Sequence, residues 1–136
     1  MMLLSQAKLA DVIVSNVEKP KMVRVMTVSK NPRYADGGEP IQGTVAKIAC
    51  QIIDVQLAQI IEKAGGDLSE LKTYPLELVG EEKDLLSISE ATLLGSEIKL
   101  DGAQVMLKWA NGRNGGGWRD LKLVMNVSET GTGDQK

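Results

Sequence analysis

Short runs of alternating apolar residues, a single helical period and closely spaced turn residues predict a mainly β (α+β) fold for this 136-residue chain. The arrangement they suit is a small Greek-key barrel or a sandwich of about six strands, with one main helix plugging one end. The length is that of one ordinary domain, taken as residues 1–128, and the polar stretch 129–136 predicts a flexible C-terminal tail.

Taken in order, Val12-Ile13-Val14 reads as a first strand. Met22 to Val28 reads as a second, with Val23, Val25 and Thr27 on its apolar side and Arg24 projecting from the sheet. Pro20 fits the approach to that strand, because proline cannot donate to a ladder. Residues 31–40, with Asn31, Pro32, Asp36, Gly37, Gly38 and Pro40, are dense in turn formers and predict an exposed, mobile loop. A long strand from Gly43 to about Ile53 follows.

At Asp54 the period changes. Leu57, Ile60, Ile61 and Ala64 fall at helical spacing, Asp54 supplies an N-cap and Gly65-Gly66 a stop, so the pattern predicts a helix over about 54–64. Asp67-Leu68-Ser69-Glu70 has capping-box spacing and predicts one further turn before a strand at 74–79. Residues 81–95 fit either a short helix or irregular structure. Glu97 to Leu100 and Ala103 to Trp109 flank Asp101-Gly102, the dipeptide of a two-residue type I′ turn, and predict a hairpin. A glycine-rich loop, 111–119, then leads to a last strand in which Leu121, Leu123, Met125 and Val127 alternate with Lys122, Val124 and Asn126.

Composition narrows the chemistry. Cys50 is the single cysteine, it lies in an apolar stretch that predicts burial, and the chain has no histidine. That removes an intramolecular disulfide, thiolate or imidazole zinc sites, and Ser-His or Cys-His nucleophilic pairs. We therefore expect no cofactor, no metal and no enzymatic activity. Carboxylate-only chemistry remains formally open, but the acids Glu81, Glu82 and Asp84 read as a solvated helix start. The glycine run 115–117 lacks the Lys-Ser/Thr ending and the following helix of a phosphate loop. No apolar run is long enough for a membrane span, the N-terminus lacks a secretory pattern, and a cytoplasmic location without membrane partners is expected.

Net charge is −2, yet it is unevenly distributed. Residues 1–35 carry six bases against two acids, residues 36–101 five against thirteen, and residues 102–136 five against three. Basic ends let a protein of acidic average present one positive face to a polyanion. The aromatic residues are Tyr34, Tyr74, Trp109 and Trp118. Tyr34 follows Arg33, and Trp118 precedes Arg119; an aromatic beside an arginine on a loop offers a π-face for an unpaired base and a guanidinium for phosphate. Trp118 alternatively packs back on the core, while Trp109 and Tyr74 are expected as core or turn packing. The candidate nucleic-acid-binding residues are Lys21, Arg24, Lys30, Arg33, Tyr34, Arg113, Trp118, Arg119 and Lys122. They would line one groove if the first, second and last strands were neighbours.

Val17-Glu18-Lys19-Pro20-Lys21-Met22-Val23-Arg24-Val25 followed by Asn31-Pro32-Arg33-Tyr34 resembles the small single-stranded-DNA-binding proteins of plasmids, phages and conjugative elements. The resemblance implies an oligonucleotide-binding (OB-like) barrel and a non-catalytic role on single-stranded DNA, or RNA. The chain departs from the usual bacterial pattern in its few aromatics and its lack of an acidic, hydrophobic tail tip. The competing expectation is a structural or assembly protein of a virion or mobile element, forming homo-oligomers through strand edges and loops.

Overall fold

The computed structural model describes residues 8, 9, 12–15, 17–112 and 115–128; the polar stretch 129–136 and Arg113 lie outside the described residues. The chain is mainly β, a curled seven-stranded half barrel with few helices. Its strands are β1 (Ile13–Val14), β2 (Met22–Asn31), β3 (Lys47–Asp54), β4 (Tyr74–Val79), β5 (Glu97–Lys99), β6 (Gln104–Gly112) and β7 (Gly115–Asn126). The helices are α1 (Val55–Lys63), α2 (Glu82–Ser87) and α3 (Glu90–Leu93), with a 3-10 turn at Leu68–Glu70. The strand order is β1-β6-β7-β4-β3-β2-β5, and every pair is antiparallel except β4 with β7. A parallel pair needs a long crossover, and here α2, α3, β5 and β6 all lie between its two strands.

The concave face holds the main core. Val23 and Val25 of β2, Ile48, Cys50 and Ile52 of β3, Leu76 and Leu78 of β4, Val105 of β6 and Leu123 of β7 are buried there. Leu85 of α2 is buried in the same cluster, and Ile88 and Leu93 pack against that cluster. Each buried aliphatic side chain contributes roughly 1.5–3 kcal/mol relative to exposure.

The bulge in β2 explains one departure from the expected alternation. Val25 pairs Ile52 and Thr27 pairs Gln51, so Met26 is an extra residue and the phase flips after it. Thr27 consequently faces solvent, and Val28 packs on the core in its place.

α1 begins and ends as its caps require. Asp54 Oδ1 accepts from Gln56 N at 2.9 Å, and the helix stops before Gly65 at φ +77°. The apolar stripe that marks it is not the face it buries, however. The helix packs on β2 and β3 through Val55 and Ala58, with Ile53 buried on the sheet face opposite Ile52, while Leu57 and Ile60 are exposed. The long helix therefore adds no buried residue to the main core cluster, whereas the shorter α2 adds Leu85. The 3-10 turn and β4 fall where the sequence places them, and Asp67 Oδ1 accepts from Ser69 N at 2.9 Å.

The expected Asp101-Gly102 hairpin does not form. β5 pairs β2 at one edge of the sheet, whereas β6 lies next to the opposite edge between β1 and β7. Ala103 N donates to Leu100 O at 3.0 Å, and within this turn only Gly102 has positive φ, +83°. That is the signature of a type II turn, and type I′ needs positive φ at both central residues. The turn carries the chain across the gap between the two ends of the curled sheet.

Candidate nucleic-acid interface

The residues singled out in the sequence fall in three separate places, because β3 and β4 stand between β2 and β7 in the sheet. The first is the start of β2. Arg24 donates through Nη1 to Glu62 Oε2 of α1 and through Nη2 to Glu97 Oε2 of β5, both at 3.1 Å. The guanidinium does leave the outer face as expected, but two carboxylates from distant parts of the chain neutralise it. Lys21 beside it is exposed, and its carbonyl accepts from Leu100 N at 3.1 Å.

The second place is the far end of β2. Lys30 Nζ donates to Leu86 O at 3.3 Å, which fastens α2 to the sheet. Arg33 Nε donates to Glu82 Oε2 at 3.3 Å, and the same oxygen accepts from Val45 N at 2.8 Å. The expected mobile loop is folded on itself: Tyr34 bridges Pro40, Ala35 N donates to Glu39 O and Gly38 N to Ala35 O, each at 2.8 Å. Tyr34 is 62% exposed, but Asp36 and Glu39 share its loop and Glu82 holds its arginine. The acids expected as a solvated helix start do open α2, yet two of them are structural: Glu82 as described, and Asp84, whose Oδ2 accepts from Ser128 Oγ at 2.6 Å.

The third place is the β6–β7 hairpin. Lys122 points from its outer face to Glu77 Oε1 at 3.0 Å, and Lys47 Nζ donates to Glu77 Oε2 at 3.1 Å, so one carboxylate ties β3, β4 and β7 together. Burial works against the charge on Glu77, but hydrogen bonds from Lys122 and Lys47 outweigh it and hold the carboxyl below its ordinary value. The glycine run is not a loop: Gly115, Gly116, Gly117, Trp118 and Arg119 all belong to β7, in register with β6 from Gly112↔Gly115 down to Gln104↔Val124.

This hairpin outruns its sheet. β1 reaches only Val105 and Met106, and β4 pairs β7 only from Leu123 to Asn126. Among the described residues no third strand pairs with residues 107–112 or 115–121, which form a two-stranded ribbon about 20 Å long at ~3.3 Å per residue. Trp109 stands opposite Trp118 in the register. Between Lys108↔Asp120 and Trp109↔Trp118 the second strand carries one extra residue, so the ribbon bulges at Arg119. Lys108 and Arg119 outnumber the ribbon's acid, Asp120, among its described residues.

Trp109 was expected in the core and is instead 50% exposed. Its phase is the one anticipated, shared with Val105, but six residues of β6 lie beyond the reach of β1, so phase no longer means burial. Tyr74 also departs from expectation. It opens β4 and is exposed, with Lys72 Nζ 5.5 Å from its ring centre. Cys50 is buried as expected, and burial pushes its thiol up to about 11. Among the described residues no three acids, cysteines or histidines cluster so as to hold a metal ion, and no helix is long and apolar enough to cross a membrane. Comparison with protein-family models, with curated proteins and with solved structures gives no match to this chain.

Proposed function

We propose that this protein binds single-stranded nucleic acid without catalysis, and that the β6–β7 ribbon is the element that does so. The observation behind the proposal is the cross-strand placement of Trp109 and Trp118 on a two-stranded ribbon that extends beyond the sheet. Aromatic rings on such a ribbon stack on unpaired bases, each contributing on the order of 1–3 kcal/mol, while Lys108, Arg113 and Arg119 answer the phosphates. Arg24, Arg33 and Lys122, by contrast, already hold carboxylates, which shifts the interface away from β2. The half barrel is then the rigid OB-like scaffold from which the ribbon works.

Anisotropy titration of fluorescein-labelled oligothymidine of about 30 nucleotides tests this. Saturable binding is expected, weakening with salt at a log–log slope of about −2 for three neutralised phosphates. Absence of binding at tens of micromolar protein in low salt overturns it. A second reading is favoured by the same ribbon, whose two strands each have an edge without a ladder partner among the described residues. Such edges pair with a second copy, as in an assembly protein of a virion or mobile element. An apparent molar mass, from light scattering, that rises with protein concentration in the absence of DNA distinguishes it.

A further inference from the structure

Trp109 rests on a feature that only glycine supplies. A Cβ built on Gly116 would stand 2.2 Å from both Cζ2 and Nε1 of Trp109 and 2.3 Å from Cε2, far inside any contact real side chains make. The indole thus fills the space that a side chain at 116 would occupy. The register places both residues on one face, since Trp109 opposes Trp118 and Asn111, two residues further along β6, opposes Gly116. One flank of the ring is covered by backbone, and half of the residue's surface stays open.

We infer that Trp109, seated on Gly116, is the stacking platform for an unpaired base, and that Gly116 is the residue that positions it. The inference rests on the nucleic-acid reading above and names the chemistry it recognises. A ring already fixed against the backbone loses little rotamer freedom when a base stacks on it, so more of the stacking energy appears as affinity. Bases inside a duplex have both faces occupied by their neighbours, whereas a single strand presents free π-faces. The platform therefore selects single strands, and it does so through the bases rather than the phosphates.

The test uses the full chain and three probes of equal length at one salt concentration: oligothymidine, an abasic oligomer and a duplex. Wild type is expected to bind oligothymidine more tightly than the other two. Gly116→Ala should weaken oligothymidine binding roughly 5-fold or more while leaving the abasic oligomer unchanged. Gly117→Ala, which adds its methyl on the opposite face of the ribbon, should alter neither. Trp109→Ala removes the ring without adding a clash and carries the same expectation as Gly116→Ala, should the alanine at 116 disturb folding. Equal binding of wild type and both Trp109→Ala and Gly116→Ala, or parallel loss of both single-stranded probes, overturns the platform while leaving the nucleic-acid reading standing. Failure of wild type to bind any probe overturns that reading, and the platform with it.

Discussion

Leu76 and Leu121 are the same side chain in the same inward phase of two strands of one sheet, yet Leu76 is 0% exposed and Leu121 is 40% exposed. Leu76 lies on β4 with a strand on either side, within the concave core that also holds Leu85. Leu121 lies on the part of β7 that has β6 on one side and no third strand among the described residues on the other. Strand alternation assigns a face, and only neighbouring strands and a covering layer turn that face into a core. The half barrel is accordingly stabilised by burial, while the ribbon depends on its cross-strand pairs and on the fit of Trp109 over Gly116. An isolated hairpin is marginal in water, so the ribbon is the part of the molecule that has least to lose by rearranging around a ligand.

Paired substitutions probe that contrast most directly. Leu76→Ala should lower unfolding free energy by about 3 kcal/mol, and Leu121→Ala by under about 1 kcal/mol, in urea titrations of the two variants side by side. Equal losses would mean that the ribbon is packed as tightly as the barrel. Amide exchange should separate the same two regions, with β3 protected to the global limit and residues 107–112 exchanging faster.

Glu77 is where the two halves are pinned. Glu77→Gln should cost about 1–2 kcal/mol by removing the charge that two lysines share. Because its folded carboxyl is held below the ordinary value of 4.5, the stabilisation is complete above that value and is lost as pH falls through the lowered one. The gap between wild type and Glu77→Gln in unfolding experiments should therefore narrow on acidification; a gap constant down to the acid transition would contradict the pairing. Gly102→Ala tests the link between the two sheet ends and should cost about 1 kcal/mol, since alanine is disfavoured at φ +83°. The smallest effect is expected at Cys50. With its thiol near 11, about one molecule in a thousand is thiolate at pH 8, and a thiol reagent should react only once the barrel unfolds.

Much of the fold was legible where local chemistry decides it. Asp54 and Gly65 bracket α1, Asp67 caps the short turn, and β4 occupies the span its alternation marks. The errors share a cause, which is that the deciding partner lies far away in sequence. Periodicity found a stripe on α1, but its packing uses Val55 and Ala58, and nothing local says that Leu57 and Ile60 stay outside. Asp-Gly suits type I′ and type II turns alike, and long-range pairing of β5 with β2 chose the second. The candidate interface was less legible still. Arg24 meets Glu62 and Glu97, and Arg33 meets Glu82, so cations that look available in a linear stretch are matched across the fold. Trp109 and Gly116 could have been linked only by knowing that the glycine run continues the strand rather than interrupting it.

The position of β7 has a consequence for how the molecule is made. Among the seven described strands it comes last in chain order, yet it sits inside the sheet between β6 and β4. Before it leaves the ribosome, β2 and β3 can already pair with β4 and β5, and β1 with β6, but nothing joins these two fragments side by side. Each then displays an open hydrogen-bonding edge to every other nascent chain nearby. The parallel join to β4 has to close late and over a long stretch of intervening chain, the kind of non-local pairing that slows folding. A polypeptide released before β7 is complete would lack the strand that turns two partial sheets into one.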